Sequence, residues 1–374
     1  MSGLPPAPAG FLDAVGGLPM ASSVAAAYAR AAELAWADPV RFHHLGRQSA
    51  LVLDTARASL ATGISHATGA SIGAEQVFFA PNMRMAALWA GQGFLGAPSF
   101  LASAIETLAL IDGLSEHDPG LRTLGVDSHG FLDQSVLADL GPSDGLVLAL
   151  QAANVEIGTS QDLNACSAAG FRLLVDASQC LGRIPLGTNW SLLLAAASDW
   201  GGPVGVVVLA VQPNTRWSCP LPTVGGWIGS RADVPAVVAA ATALELTLPE
   251  AQHQSTQQFA LIDRLRTSIR AAISDVTFAG DEHARLPHIL NCSILYVSGE
   301  ALVLELDRRG FAVATGSACV ADSDHASHVL AAIGGFTGGN LRISLPFDCT
   351  EETADSFVDA LVEVVAELRR GTGL

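Results

Sequence analysis

Two features of side-chain chemistry stand out in this chain, one thiol and the lack of one amine. Cys319 closes the stretch Arg309-Gly310-Phe311-Ala312-Val313-Ala314-Thr315-Gly316-Ser317-Ala318-Cys319, in which a predicted strand at 311–313 runs into a loop of small residues. A thiol with so little bulk beside it can be reached by a second site, as reactive cysteines require. The plain alternative is that Cys319 packs as a small hydrophobe, as free cysteines commonly do. The missing amine is lysine, since all 19 basic residues are arginine. Nucleotide bias accounts for such a loss in an Ala/Gly/Val-rich chain, and its chemical consequence holds whatever the cause: no lysine Schiff base can form here.

Other residue patterns carry less. His43 and His44 are adjacent and do not converge on one ion, and His325 and His328 share a helical face without a third ligand nearby, so no metal site is expected. Gly201-Gly202-Pro203-Val204-Gly205 is not a dinucleotide fingerprint, and a phosphate-binding loop would need a lysine.

The 374 residues, half of them apolar, exceed one ordinary core and predict two domains. Six scattered cysteines without a CxxC pair suit a reducing compartment. The first residues show no basic segment followed by an apolar one, and no uninterrupted apolar run of membrane length stands out, so the expectation is a cytoplasmic protein without a membrane partner. With 36 acidic residues against 19 basic, the net charge of -17 repels phosphate backbones and argues against direct nucleic-acid binding.

These residues need elements to hold them. Short apolar runs at 77–80, 100–105, 145–150, 172–175 and 204–211 alternate with helical or loop segments, the rhythm of an α/β domain with a mostly parallel sheet. Beyond Gly226 the rhythm changes. Helices at 231–248 and 257–273, separated by a polar break at 249–255, lead into a smaller α+β unit that ends in an amphipathic helix at 351–370. The expected division is a large domain over 14–250 and a small one built from 1–13 and 251–374.

The order of motifs resembles the cysteine desulfurases, class-V, fold-type I relatives of the aminotransferases that use pyridoxal phosphate. It runs through Phe42-His43-His44-Leu45-Gly46-Arg47, Val126-Asp127-Ser128-His129-Gly130, Asn154-Val155-Glu156-Ile157-Gly158-Thr159 and Val175-Asp176-Ala177-Ser178-Gln179. It continues with Arg285-Leu286-Pro287-His288-Ile289-Leu290-Asn291 and Thr315-Gly316-Ser317-Ala318-Cys319. The resemblance implies a fold-type I large domain with a mostly parallel sheet and a smaller α+β domain. It places Asp176 under the pyridine nitrogen, Gln179 near the phenolic oxygen, Asn154 by the ring, Arg342 on the substrate carboxylate, and Cys319 as the persulfide carrier. Without the resemblance, Asp176 reads as a strand-end cap, Gln179 and Asn154 as loop hydrogen-bonders, and Arg342 as a structural ion pair.

This chain also departs from the family. Where the pattern has Ser-Ala-His-Lys, the sequence has Ala196-Ala197-Ser198-Asp199, so Asp199 stands at the Schiff-base lysine and is not expected to catalyse. Thr107 replaces the histidine that stacks on the ring, and Pro81-Asn82-Met83-Arg84 replaces a tight Ser-Gly-Ala-Thr phosphate turn. Arg84 is the one residue there that could answer an anion. The expectation is a protein without a cofactor, acting as a partner, scaffold or persulfide relay through Cys319. It would form a homodimer, or a heterodimer with an active cysteine desulfurase, and pass sulfur to an acceptor protein. The alternatives are an enzyme with pyridoxal phosphate held noncovalently by Asp176, Gln179, Asn154 and Arg84, and a purely structural subunit.

Overall fold

The structure, a computed structural model, describes residues 7–96, 99–140, 145–316 and 327–371; Cys319 and His325, singled out above, lie outside them. The chain runs through α1 (Ser22–Leu34), α2 (His44–Thr68), β1 (Val77–Ala80), α3 (Met83–Gly93), β2 (Ser99–Ser103), α4 (Leu108–His117) and β3 (Arg122–Leu124). Next come α5 (Gln134–Leu140), β4 (Leu146–Gln151), α6 (Leu163–Ala168), β5 (Arg172–Asp176), β6 (Leu192–Ala196), β7 (Val207–Val211), β8 (Thr223–Val224), β9 (Trp227–Ile228) and α7 (Val234–Thr247). The last part holds α8 (Ala251–Ala272), β10 (Val276–Ala279), β11 (Ile289–Ile294), α9 (Gly299–Arg308), α10 (His328–Ala332), β12 (Asn340–Ser344) and α11 (Glu351–Gly371).

Among the described residues, nine strands form one sheet in the order β3-β2-β4-β5-β6-β7-β1-β9-β8, parallel from β3 to β6. Its strands β6 and β7 are apolar at every position because both faces are covered. In β6, Leu193 and Ala195 join the core beneath α1, α2 and α7, while Leu192 and Leu194 join the core beneath α3 and α4. This period of two sends alternate side chains to opposite faces and puts the strand ends, with Asp176 at the end of β5, at one edge of the sheet.

A second sheet, β10-β11-β12, is antiparallel and packs under α8, α9 and α11. The amino-terminal segment is stitched into this unit: Phe11 bridges Ala312, Asp13 bridges Ser344, and Leu12 is fully buried in its core.

The fold class matches the expectation from sequence, with local differences. β6 was not expected, because Leu-Leu-Leu-Ala-Ala favours a helix by propensity and becomes a strand only through its neighbours β5 and β7. The polar break at 249–255 does not interrupt the chain: Pro249 sits in a single 3₁₀ turn, where its missing N–H does no harm, and α8 begins at Ala251. The predicted strand at 311–313 is reduced to isolated bridges. One helical run, Val234–Ala272, is long and apolar enough by length and composition to cross a membrane, although Glu245 and Glu250 interrupt it. Half of its apolar window (50%) is buried within the fold, as befits a helix packed against α1 and α2.

Candidate active site

Asp176 is buried at the end of β5, where its Oδ1 accepts from the Ser178 amide at 3.0 Å and from the Ser178 hydroxyl at 2.6 Å. Ser178 Oγ in turn accepts from the Ala196 amide at 3.1 Å and so locks the ends of β5 and β6 together. Among the described residues, Oδ2 of Asp176 has no hydrogen bond.

Just beyond β6 the chain makes a 3₁₀ turn, Ala197–Trp200, closed by the Gly202 amide on the Ala197 carbonyl at 2.8 Å and by Gly201 at φ 83°. Trp200, wholly buried, anchors the turn by donating from Nε1 to the Ala240 carbonyl at 3.0 Å. Asp199 is thereby held near enough to Asp176 and Gln179 to feel both. Burial, and then the charge of Asp176, push its carboxyl up to about 7 against the pull of Arg183 and Gln179.

Three further ionisable groups surround this pair. His288 is fully buried, with Nε2 3.2 Å from Gln179 Oε1, and burial beside Arg183 and Arg342 keeps it neutral. With Nε2 donating to Gln179, its Nδ1 is an acceptor without a partner. Arg183 is buried with its Nη1 3.2 Å from Gln258 Oε1 and its guanidinium 4.2 Å from the Phe347 ring centre; burial lowers it to about 10. Glu106 is buried so deeply that its carboxyl is pushed well above the usual range. Burial leads, Asp176 adds to it, and Oε2 has no partner.

The other expected site residues are engaged elsewhere. Asn154 donates to the Ile105 carbonyl at 2.8 Å and accepts from the amides of Glu156 and Ile157, each at 2.9 Å, which is the use of a turn-forming side chain. Arg342 on β12 pairs with Asp13 at 3.1 Å, and its Nε is unpartnered. Arg84 is half exposed and paired with Glu116 on α4. Thr107 caps α4, and Asn82 caps α3 by accepting from the Met85 amide at 2.9 Å.

The structure thus unites Asp176, Gln179 and Asp199, and sets Arg84 apart. Sequence reading gave no role to Glu106, Arg183 or His288. Glu106 and His288 lie inside or beside the motifs that carry the resemblance, whereas Arg183 lies in none and is found only through its packing. The assembled groups can hold protons or a cation, and they contain no nucleophilic amine.

Comparison with known proteins fits this geometry. The aminotransferase class-V family model matches residues 100–357. The chain is 28% identical over 381 residues to the cysteine desulfurase IscS of Dictyoglomus turgidum, covering 96% of this chain and 95% of that one. To the cysteine desulfurase NifS of Azotobacter vinelandii it is 31% identical over 275 residues, covering 70% and 68%. A solved NifS-like protein shares the fold with a TM-score of 0.83 at 21% identity, covering 95% of this chain and 99% of that one.

These findings overturn the expectation that no cofactor is carried: the matched family is one of pyridoxal-phosphate enzymes, and that cofactor is the ligand to expect here. The open Oδ2 of Asp176 fits a protonated ring nitrogen, while the lack of lysine leaves no side chain to bond the group covalently. With the matched model spanning most of its length and cysteine desulfurases among its relatives, the chain belongs to the class-V aminotransferase family and is cysteine desulfurase-like.

Proposed function

We propose that this chain leaves the removal of sulfur from cysteine to an active relative and accepts the sulfur on Cys319 as a persulfide, in the cytoplasm. One observation carries the reading: the 374 residues hold no side-chain amine, and the carboxyl of Asp199 lies beside Asp176 and Gln179, where the resemblance puts the lysine. Pyridoxal phosphate supplies an electron sink for bonds to an amino acid's α-carbon. Asp176 would keep its ring nitrogen protonated, with Gln179 at the ring edge. Asp199 is a poor substitute for an amine that must move the α-proton.

Sulfur transfer between thiols asks for neither amine nor cofactor. The Cys319 thiolate attacks the outer sulfur of a donor persulfide, the donor's S–S bond breaks, and the donor leaves as a thiolate; nothing is oxidised or reduced overall. The described cysteines are poor competitors. Burial pushes Cys166 and Cys349 up to about 11, Cys292 to about 12, and Cys180 and Cys219 in the same direction.

An active cysteine desulfurase supplied with cysteine is therefore expected to add one dithiothreitol-reversible sulfur to Cys319, read by peptide mass spectrometry. The chain alone with cysteine should yield no alanine, and Cys319→Ser should abolish labelling. Equal labelling of the other cysteines, or sulfur delivery unchanged in Cys319→Ser, would refute the relay and favour a structural subunit.

The assembly we infer is a dimer, with itself or with that relative. Near the start of α2, Trp36, Val40, Phe42 and Leu51 are 61%, 52%, 94% and 69% exposed, more apolar side chains than one short stretch normally leaves to water. Sedimentation should show a dimer that Phe42→Glu with Leu51→Glu weakens. A stable monomer that ignores active desulfurases would remove this part of the reading.

A further inference from the structure

Residues 317–326, with Cys319 among them, run between Gly316 and Ser327, and those two ends meet at one oxygen atom. The Ser327 hydroxyl donates to Oε1 of Glu156 at 2.6 Å and accepts from the Leu330 amide at 3.1 Å, so it caps α10 while tying it to the turn that follows β4. At the other end, a Cβ on Gly316 would lie 2.1 Å from the same Oε1, an approach that only glycine permits. The Gly316 amide donates to Asn340 Oδ1 at 2.8 Å, Asn340 Nδ2 donates to Asn291 Oδ1 at 2.6 Å, and Asn291 Nδ2 donates to the Glu156 carbonyl at 3.3 Å. Contacts from both ends thus close on Glu156, whose own amide donates to Asn154 Oδ1 at 2.9 Å. The α10 end has a second hold: His328 Nε2 donates to the Glu106 carbonyl at 2.9 Å, and Val329, Leu330 and Ile333 pack with Ile105 and Ile157. A buried carboxyl is costly, and an apolar side chain would fill this space at less expense. What the acid adds is a directed bond.

We propose that Glu156 is a positioning residue for sulfur acceptance: by fixing Gly316 and Ser327 at one oxygen, it holds both roots of the Cys319 segment on the large domain, where a donor persulfide can meet the thiolate. This rests on the reading that Cys319 is the sulfur acceptor. The transfer itself is unchanged, with the Cys319 thiolate attacking the outer sulfur and the donor leaving as a thiolate. Such a displacement between two proteins depends on placement, and an error of about 1 Å can cost roughly a hundredfold in rate. A small alkylating reagent makes no such demand, because it approaches the thiol from any open side. The two reactions therefore respond differently when the tie is cut.

The test compares the full chain with Glu156→Ala, Ser327→Ala and Glu156→Gln, each shown folded by circular dichroism. Peptide mass spectrometry follows the initial rate at which an active cysteine desulfurase with cysteine labels Cys319, and, separately, the rate at which iodoacetamide alkylates it. Glu156→Ala and Ser327→Ala should slow labelling at least about tenfold, while Glu156→Gln, which keeps an acceptor for Ser327, stays within about twofold. Alkylation should stay within about threefold of the parent in all three variants. Labelling within about twofold of the parent in Glu156→Ala or Ser327→Ala overturns the inference, as does Glu156→Gln slowed as much as Glu156→Ala, or alkylation slowed in step with labelling. Hydrogen exchange judges the tie without any sulfur donor: in Glu156→Ala the amides of Gly316 and Leu330 should both exchange at least about tenfold faster, with β5 and β6 unchanged. Faster exchange at only one of the two, or at neither, overturns the tie. A parent that takes no sulfur refutes the relay instead, and exchange at those two amides then tells that failure from the failure of Glu156 to hold the ends.

Discussion

Trp200→Ala is expected to destabilise the large domain by about 4 kcal/mol, within the roughly 3–5 kcal/mol seen when a buried Trp or Phe is truncated. Trp200 is among the largest fully buried side chains, and it also donates the hydrogen bond at 3.0 Å that ties the 3₁₀ turn to the Ala240 carbonyl in α7. The substitution opens a cavity and leaves that carbonyl without its donor. Trp200→Phe separates the two effects, keeping most of the bulk and forfeiting the N–H, and should cost about 1–2 kcal/mol. Urea denaturation followed by circular dichroism measures both. A loss below about 1 kcal/mol for Trp200→Ala would mean that the turn holding Asp199 is not fixed by this anchor.

The second large effect is a dependence of stability on pH. Glu156 is 6% exposed; its Oε1 accepts from the Ser327 hydroxyl at 2.6 Å, and a Cβ placed on Gly316 would come within 2.1 Å of it. Burial pushes its carboxyl up to about 7, with Ser327 and Arg342 pulling the other way. The unfolded chain loses this proton near about pH 4.3, so between the two values the folded state binds more protons and stability falls as pH rises. The shift converts to roughly 3 kcal/mol lost between about pH 4 and pH 8, as an upper figure. Asp199, also raised to about 7, acts in the same direction. Glu156→Gln keeps an acceptor for Ser327 and has nothing to ionise. It should match the parent at about pH 4 and exceed it by about 1–3 kcal/mol at pH 8. If the variant retains the parent's full pH slope, the proton resides elsewhere.

The limits of sequence reading follow from what burial adds. β4, β5 and β7 were legible because apolar runs of strand length between turn residues have few other uses, whereas β6 required neighbouring strands to override its composition. Motif spacing brought Asp176, Gln179 and Asp199 to one place, since residues at adjacent strand ends meet whenever the strands are neighbours. It did not reveal that Arg342 is paired with Asp13 or Arg84 with Glu116, because each partner comes from a distant part of the chain. Nor could it find the protons on Glu106, Glu156 and Asp199, which depend on desolvation by residues brought in from several elements.

The bridges from Phe11 and Asp13 to Ala312 and Ser344 set the order in which a ribosome can complete this molecule. The Val15 amide meets the Ser344 hydroxyl at 3.0 Å across 329 residues of sequence, so the segment around Leu12 waits for a strand made long after it. The strands of the nine-stranded sheet can pair meanwhile, as their partners emerge earlier, while Leu12 stays uncovered until β12 and α11 arrive. Nascent chains stalled before Ser344 should therefore present the uncovered segment around Leu12 to chaperones and proteases, and removing that segment should loosen the carboxy-terminal unit more than the nine-stranded sheet.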